Sequence, residues 1–319
     1  MSRGKRAGFG VGGSASLGGW SILFTWSTGV AAFLILAILL IIIGDIFWLG
    51  SEGFSWRFVS SGTEQDMFDP EKAGVLPMIV GTAARVILMT IFVMPVGVIT
   101  AIYLTEYAYE SAWLTRIIRG AVNNLAGVPS IVFGLFGLGF LISFVGTGLD
   151  DWMAPDRPAP VWGKPALVWA SLTLAVMTLP VVIVATEESL LAIAPGLREA
   201  SLALGATKLQ TIWKVVLPQA LPGILTGAIL AISRAAGEVA PILFTGAAYY
   251  MAQLPGSLSD QFMDLGYHIF ILSTQSPNID QTRPILYATV LTLLLLTFTL
   301  NLVAIFVRAR IRRRFRALY

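Results

Sequence analysis

Residues 194–223 read APGLREASLALGATKLQTIWKVVLPQALPG. Apolar side chains recur among charged and small ones on both sides of Gly205, which is typical of amphipathic helices. Pro195 can occupy the first turn of a helix, where its missing N–H group costs nothing. Gly205 suits a sharp change of direction. The stretch therefore predicts a short helix, a turn and a second helix on the inner face of a membrane, where a partner protein can bind them.

Outward from this stretch the chain is strongly apolar. Of its 319 residues, 56% are hydrophobic and 12% are charged, whereas about 25% are charged in an ordinary soluble domain. Six apolar runs are long enough to cross a hydrocarbon core of about 30 Å. They are predicted at about 27–48, 76–104, 121–146, 166–193, 223–247 and 284–307. We therefore expect an all-α membrane protein with six transmembrane helices, since strand-like alternation is absent over these lengths.

Charge distribution predicts the orientation and the boundaries of this domain. Most of the 21 Lys and Arg residues fall on the side that carries both termini and the 194–223 stretch. Since basic loops stay in the cytoplasm, we expect both termini of this multi-pass protein there. The predicted transmembrane domain spans 27–308, between a flexible tail at 1–26 and a basic tail at 309–319.

Catalytic chemistry is not indicated. The chain has no GxxxxGK[ST] phosphate loop, so we expect no ATP hydrolysis by this chain itself. It also has no cysteine, which excludes disulfides and thiolate metal sites. The sequence therefore favours a transport subunit without a cofactor of its own over an enzyme.

Two charges interrupt the fifth apolar run, where residues 232–246 read ISRAAGEVAPILFTG. If the run enters the membrane near Pro222, Arg234 lies about 18 Å deep, near the midplane. A charge there costs about 2.5–3.5 kcal/mol. Four-residue spacing places Glu238 on the same helical face, but Arg before Glu is the weaker order for stabilising a helix. Support of the local helix is therefore a poor explanation for the pair.

These charges predict an anion pathway. Arg85, in the second apolar run, is expected at a similar depth, so two arginines against one glutamate leave a local positive charge. The planar guanidinium suits phosphate oxygens. Pro241 would free the carbonyl of Gly237 and bend the helix at the same level. We therefore predict a substrate pathway at Arg234, Glu238 and Arg85 with a gate at Gly237 and Pro241. A purely structural role remains the alternative, both for the Arg234–Glu238 pair and for Arg85.

The 194–223 stretch resembles the signature cytoplasmic loop of ABC importer permeases. The family pattern is Glu-Ala-Ala, three residues, glycine, nine residues and Ile-x-Leu-Pro. The matching residues here are Glu199, Ala200, Ser201, Gly205, Val215, Leu217 and Pro218. Ser201 replaces an alanine and Val215 an isoleucine. The resemblance implies the type I ABC importer permease fold, with a coupling loop at 195–220 that docks into an ATPase subunit.

Two further segments resemble permeases of the phosphate-specific ABC importer, and its A-type subunit more than its C-type subunit. They are GVPSIVFGLFGLGF at 127–140 and SRAAGEVAPILFTG at 233–246. The resemblance implies uptake of inorganic phosphate together with a homologous C-type permease, two ATPase subunits that bind ATP and magnesium, and an extracytoplasmic phosphate-binding protein. Membrane lipid, and no nucleic acid, is expected around the chain.

Other transport functions remain open. The same architecture would serve a permease for molybdate, sulfate or phosphonate, or the C-type phosphate permease. A secondary anion transporter fits less well, because it should show pseudo-repeated broken helices and needs no coupling loop.

Overall fold

The computed structural model describes residues 17–62, 67–69, 71–109, 111–153, 155–251 and 253–316. Residues 1–16 of the predicted N-terminal tail and 317–319 of the basic tail lie outside this part. Within it, the only β-structure is an isolated bridge between Ala247 and Phe262. Everything else of regular form is helical, as the composition predicts.

The helices follow one another along the chain with short connections. In order they are α1 (Leu17–Gly53), α2 (Trp56–Ser60), α3 (Leu76–Ile102), α4 (Trp113–Ala126), α5 (Ser130–Phe136), α6 (Thr147–Met153), α7 (Leu167–Leu191), α8 (Pro195–Ala203), α9 (Lys208–Thr211), α10 (Leu217–Gly237), α11 (Ile242–Thr245), α12 (Leu265–Thr274) and α13 (Ile279–Arg316). Helices α3, α5 and α9 continue as π-helical segments at Tyr103–Tyr107, Gly137–Gly146 and Ile212–Val216.

Six of these helical stretches are long and apolar enough to cross a membrane, which confirms the six predicted spans. They are Ser21–Gly53, Leu76–Tyr107, Ser130–Met153, Leu167–Leu191, Lys208–Gly237 and Ile279–Arg313. The first and last helices extend into the expected tails, because α1 begins at Leu17 and α13 continues to Arg316.

Two span boundaries differ from the prediction. The third span begins at Ser130 because Pro129 separates it from α4, whose polar and apolar faces make it a distinct amphipathic helix. The fifth span begins at Lys208 and ends at Gly237, well before the predicted end at 247. Pro218 occupies the first turn of α10, where a missing N–H is tolerated, and the helix also continues through Pro222.

The core lies where α3, α7 and α10 meet. Its buried side chains include Val86, Met89, Leu174 and Ala231. Small residues let these helices approach closely, as is usual in membranes. At Gly97 a methyl group would lie 2.6 Å from a side-chain carbon of Val182. This packing fixes α3, which carries Arg85, against α10, which carries Arg234.

Close contacts also position the segment that follows α10. A methyl group added to Gly134 would lie 3.0 Å from the carbonyl oxygen of Pro241. One added to Gly137 would overlap the hydroxyl of Thr173 and lie 2.5 Å from the methyl group of Thr245. The third span therefore supports residues 241–245 through two glycines that a larger residue cannot replace without displacement.

Candidate functional site

Arg234 and Glu238 come together at the end of α10. Nε of Arg234 lies 3.6 Å from Oε1 of Glu238, and the two side chains are 48% and 25% exposed. Arg234 lies in the last turn of α10 and Glu238 is the first residue after the helix. The structure thus places a partly exposed ion pair on the surface of an otherwise apolar span.

The backbone at this pair differs from the prediction. The chain does not bend within one helix, because α10 ends at Gly237 and Glu238 adopts an extended conformation with φ −83° and ψ 121°. Pro241 then precedes α11, where its missing N–H interrupts no helix. The continuous helical stretch that contains Arg234 begins at Lys208, well before Pro222. The predicted bend is a break between two helices.

Arg85 has a different environment from Arg234. Its side chain is 0% exposed and forms an ion pair with Asp264, which is also 0% exposed. Its Nη1 and Nη2 donate to the carbonyl oxygens of Ala235 and Ala236, at 2.7 and 3.1 Å. The predicted local excess of positive charge is therefore wrong, because Asp264 neutralises Arg85. Arg85 contacts the end of α10 from inside the protein. Arg234 lies in the last turn of the same helix with its side chain partly exposed.

Sequence reasoning missed Asp264. Its oxygen Oδ1 accepts a hydrogen bond from the backbone N–H of Tyr267, which makes it the N-cap of α12. An aspartate before an apolar run could have been recognised as a cap. Its pairing with Arg85 could not, because 179 residues separate the two in the chain.

The signature stretch forms the predicted helix, turn and helix. Gly205, in the turn between α8 and α9, has φ +84° and is the one residue in the described part of the chain with φ in the left-handed region. Ser201 and Thr211 share a hydrogen bond of 2.9 Å between their hydroxyls, which joins the two arms. The signature residues occupy α8 (Glu199, Ala200 and Ser201), the turn (Gly205), the π-helical segment (Val215) and the start of α10 (Leu217 and Pro218).

The surface of this loop carries several exposed apolar side chains. Leu204 is 90% exposed, Trp213 is 60% exposed and Leu209 is 58% exposed. Exposed apolar groups rimmed by polar ones often mark a protein interface. The geometry therefore suits docking of a partner onto α8, the turn and α9.

A second ion pair, which the sequence did not reveal, attaches this loop to the membrane helices. Arg198 in α8 donates from Nε and Nη2 to Oε1 of Glu106, at 3.1 and 3.0 Å. It also donates to the carbonyl oxygens of Ile193 and Leu190, at 2.7 and 2.8 Å. A cation at the end of α7 complements the helix dipole. Arg198 therefore joins α8 to the ends of α7 and the second span.

Six apolar helical stretches in the described part of the chain, with the short helix α8 and a turn before the fifth, agree with the type I ABC importer permease fold. A bacterial alginate ABC transporter, solved in complex with an alginate-bound periplasmic protein, contains a chain of similar fold, with a TM-score of 0.60. The similarity covers 89% of this chain and 95% of that one at 16% sequence identity. This likeness concerns the fold.

The sequence comparisons establish the family. The model for binding-protein-dependent transport system inner membrane components matches residues 93–317, and the chain belongs to that family. The probable ABC transporter permease YqgI of Bacillus subtilis is 31% identical over 223 residues, which are 70% of this chain and 69% of YqgI. The protein is thus a multi-pass permease subunit.

A phosphate permease is also among the relatives. The phosphate transport system permease protein PstA 1 of Mycobacterium tuberculosis is 36% identical over 170 residues. The match covers 53% of this chain and 50% of that protein. The chain therefore spans about half the length of this phosphate permease.

Proposed function

We propose that this chain is an A-type permease subunit that moves inorganic phosphate into a bacterial cytoplasm. The observation that carries the proposal is the partly exposed Arg234–Glu238 pair on a membrane span. Glu238 contacts Nε, and in the described part of the chain no other polar contact to Arg234 is seen. Nη1 and Nη2 are thus left for a passing anion, and a planar guanidinium fits phosphate oxygens.

The exposure of this pair supports a pathway between two chains. A charged side chain that faces lipid within a membrane span is costly, so such groups normally face protein or water. A homologous C-type permease that covers this face would enclose Arg234 in a shared passage, of which this chain forms half. Glu238 would moderate the positive charge so that phosphate binds weakly enough to leave. Gly237 and Pro241, at the helix break, would form the gate.

Energy would come from two ATPase subunits that bind ATP and magnesium. The exposed apolar residues Leu204, Leu209 and Trp213 would contact an ATPase from the coupling loop at 195–220. An extracytoplasmic phosphate-binding protein would deliver the ion from the opposite face. This arrangement places both termini in the cytoplasm and leaves lipid, rather than nucleic acid, around the chain.

Arg198 gives the coupling loop a mechanical connection that can be tested. Arg198→Ala removes the hydrogen bonds to Glu106, Ile193 and Leu190, so movement of α8 should no longer reach the second and fourth spans. Hydrogen bonds to charged groups contribute about 1.5–3 kcal/mol, and we expect roughly tenfold less phosphate transported per ATP hydrolysed. Flux and hydrolysis would be measured together in proteoliposomes.

The matched control is Arg116→Ala, because Arg116 is exposed and bonds only to the nearby carbonyl of Ser111 among the contacts described. An unchanged ratio of transport to hydrolysis in Arg198→Ala would show that this connection does not transmit force.

Purification of the complex through a tag on this chain tests the proposed assembly. We expect a second permease, an ATPase with a phosphate-binding loop, and an extracytoplasmic protein that retains phosphate. A companion that retains sulfate, molybdate or phosphonate would overturn the substrate but leave the permease role. A tagged chain that transports an anion without an ATPase would favour a secondary transporter.

A further inference from the structure

We infer that Arg85 and Asp264 form a buried clamp that holds the end of α10 and thereby positions Arg234 and Glu238. The inference deepens the proposed function and rests on it for its consequence in transport. It makes Arg85 a positioning residue instead of a phosphate contact.

The clamp begins with the carbonyl groups at the end of α10. The last carbonyls of a helix have no partner within that helix. Arg85 satisfies those of Ala235 and Ala236, at 2.7 and 3.1 Å from its two terminal nitrogens. These two residues immediately follow Arg234, so a change in their position moves the pathway residues directly. A buried cation at a helix C-terminus is also electrostatically favourable.

Asp264 completes the clamp and connects it to α12. Its Oδ2 accepts hydrogen bonds from Nε of Arg85 and from the hydroxyl of Thr82, the latter at 2.9 Å. Its Oδ1 caps α12 through the N–H of Tyr267. The Thr82 hydroxyl in turn accepts from the N–H of Leu265 at 3.0 Å. The polar cluster therefore fixes the end of α10 and the start of α12 against α3.

Burial separates the clamp from a direct phosphate site. The side chains of Arg85, Asp264 and Thr82 have no exposed surface, and Nε, Nη1 and Nη2 of Arg85 already have partners. A glycine at position 81 allows the chain near Asp264 to lie directly against α3, since an added methyl group would overlap the carbonyl oxygen of Met263. An anion would have to dismantle this cluster to reach Arg85.

A cysteine at position 237 can report on the clamp. The chain has no cysteine, and Gly237 has open space around it and no positive φ. In the complete complex, with partner cysteines replaced, Gly237→Cys would be labelled with a membrane-impermeant thiol reagent. The double substitution Arg85→Gln with Asp264→Asn removes both charges together. We expect it to change the labelling rate at least about tenfold and, in complexes that keep Gly237, to lower maximal phosphate uptake by a similar factor.

The single substitution Asp264→Asn distinguishes positioning from phosphate contact. It retains Arg85, so a direct phosphate contact at that residue would leave uptake near the wild-type rate. The clamp instead predicts that Asp264→Asn alters both labelling and uptake in the same direction as the double substitution. Wild-type behaviour of Asp264→Asn would overturn the clamp.

A milder variant decides the question if the charge substitutions prevent folding. Thr82→Val removes the hydrogen bonds that the Thr82 hydroxyl makes with Asp264 and with the N–H of Leu265 and nearly preserves shape, so we expect a smaller labelling change in the same direction. Thr90→Val is the matched control, because in the described contacts the Thr90 hydroxyl bonds only within its own helix, to Val86. Equal labelling rates in Thr82→Val and Thr90→Val would overturn the clamp. Altered labelling in a complex that moves no phosphate would instead refute the proposed function and retain the clamp.

Discussion

Arg234→Gln is expected to abolish phosphate uptake, with a loss of at least about 100-fold, while the complex still assembles. The arginine side chain is 48% exposed and pairs only with Glu238 in the described structure, so its removal leaves no buried cavity. The variant keeps a polar group of similar length but loses the charge. Glu238 then has no cationic partner, and its negative charge repels phosphate from the passage.

Two companion variants sharpen this prediction. Arg234→Lys retains the charge without the planar fork, so we expect an intermediate rate, about tenfold below wild type. Arg283→Gln is the control, because Arg283 is an exposed arginine that lies over the ring of Tyr287 and makes no described contact with Arg234 or Glu238. Uptake would be measured with labelled phosphate at equal membrane levels of each complex. Wild-type uptake by Arg234→Gln would refute a substrate role for this pair.

Gly205→Val is expected to separate the permease from its ATPase subunits. Gly205 has φ +84° with open space around it, so the obstacle to a side chain is backbone strain alone. A β-branched residue at positive φ is strongly disfavoured, and such strain costs of order 1–3 kcal/mol. The loop relieves it by changing the turn between α8 and α9, which misdirects the docking surface. We expect ATPase association to weaken at least about tenfold and uptake to fall with it.

The control for this variant is Gly120→Val. Gly120 also has open space, but it lies in α4 with ordinary helical φ. Copurification of the ATPase with each tagged variant would measure association. Full association in Gly205→Val would show that the turn geometry is not needed for docking.

The sequence predicts the six spans because their length and apolar character are local properties. It predicts the Arg234–Glu238 contact for the same reason, since four residues separate the pair. Its span boundaries fail at prolines, because whether a proline ends a helix depends on its position in the first turn. Pro218 and Pro222 are both accommodated in α10.

The buried clamp could not be predicted, because it depends on tertiary contacts. Arg85 meets Asp264 across 179 residues, and Arg198 meets Glu106 across 92. Charge counting within the apolar runs therefore assigned Arg85 an unbalanced charge. Burial distinguishes the two arginines in the structure, because the Arg85 side chain is enclosed and the Arg234 side chain is partly exposed.

Competition for uptake shows whether inorganic phosphate is the anion that the complex transports. Proteoliposomes that contain the purified complex, internal ATP and the external binding protein would receive labelled phosphate with excess sulfate, molybdate or phosphonate. We predict ATP-dependent phosphate uptake that these anions leave unchanged and that Arg234→Gln removes. ATP-dependent uptake of one of those anions without uptake of phosphate would contradict it.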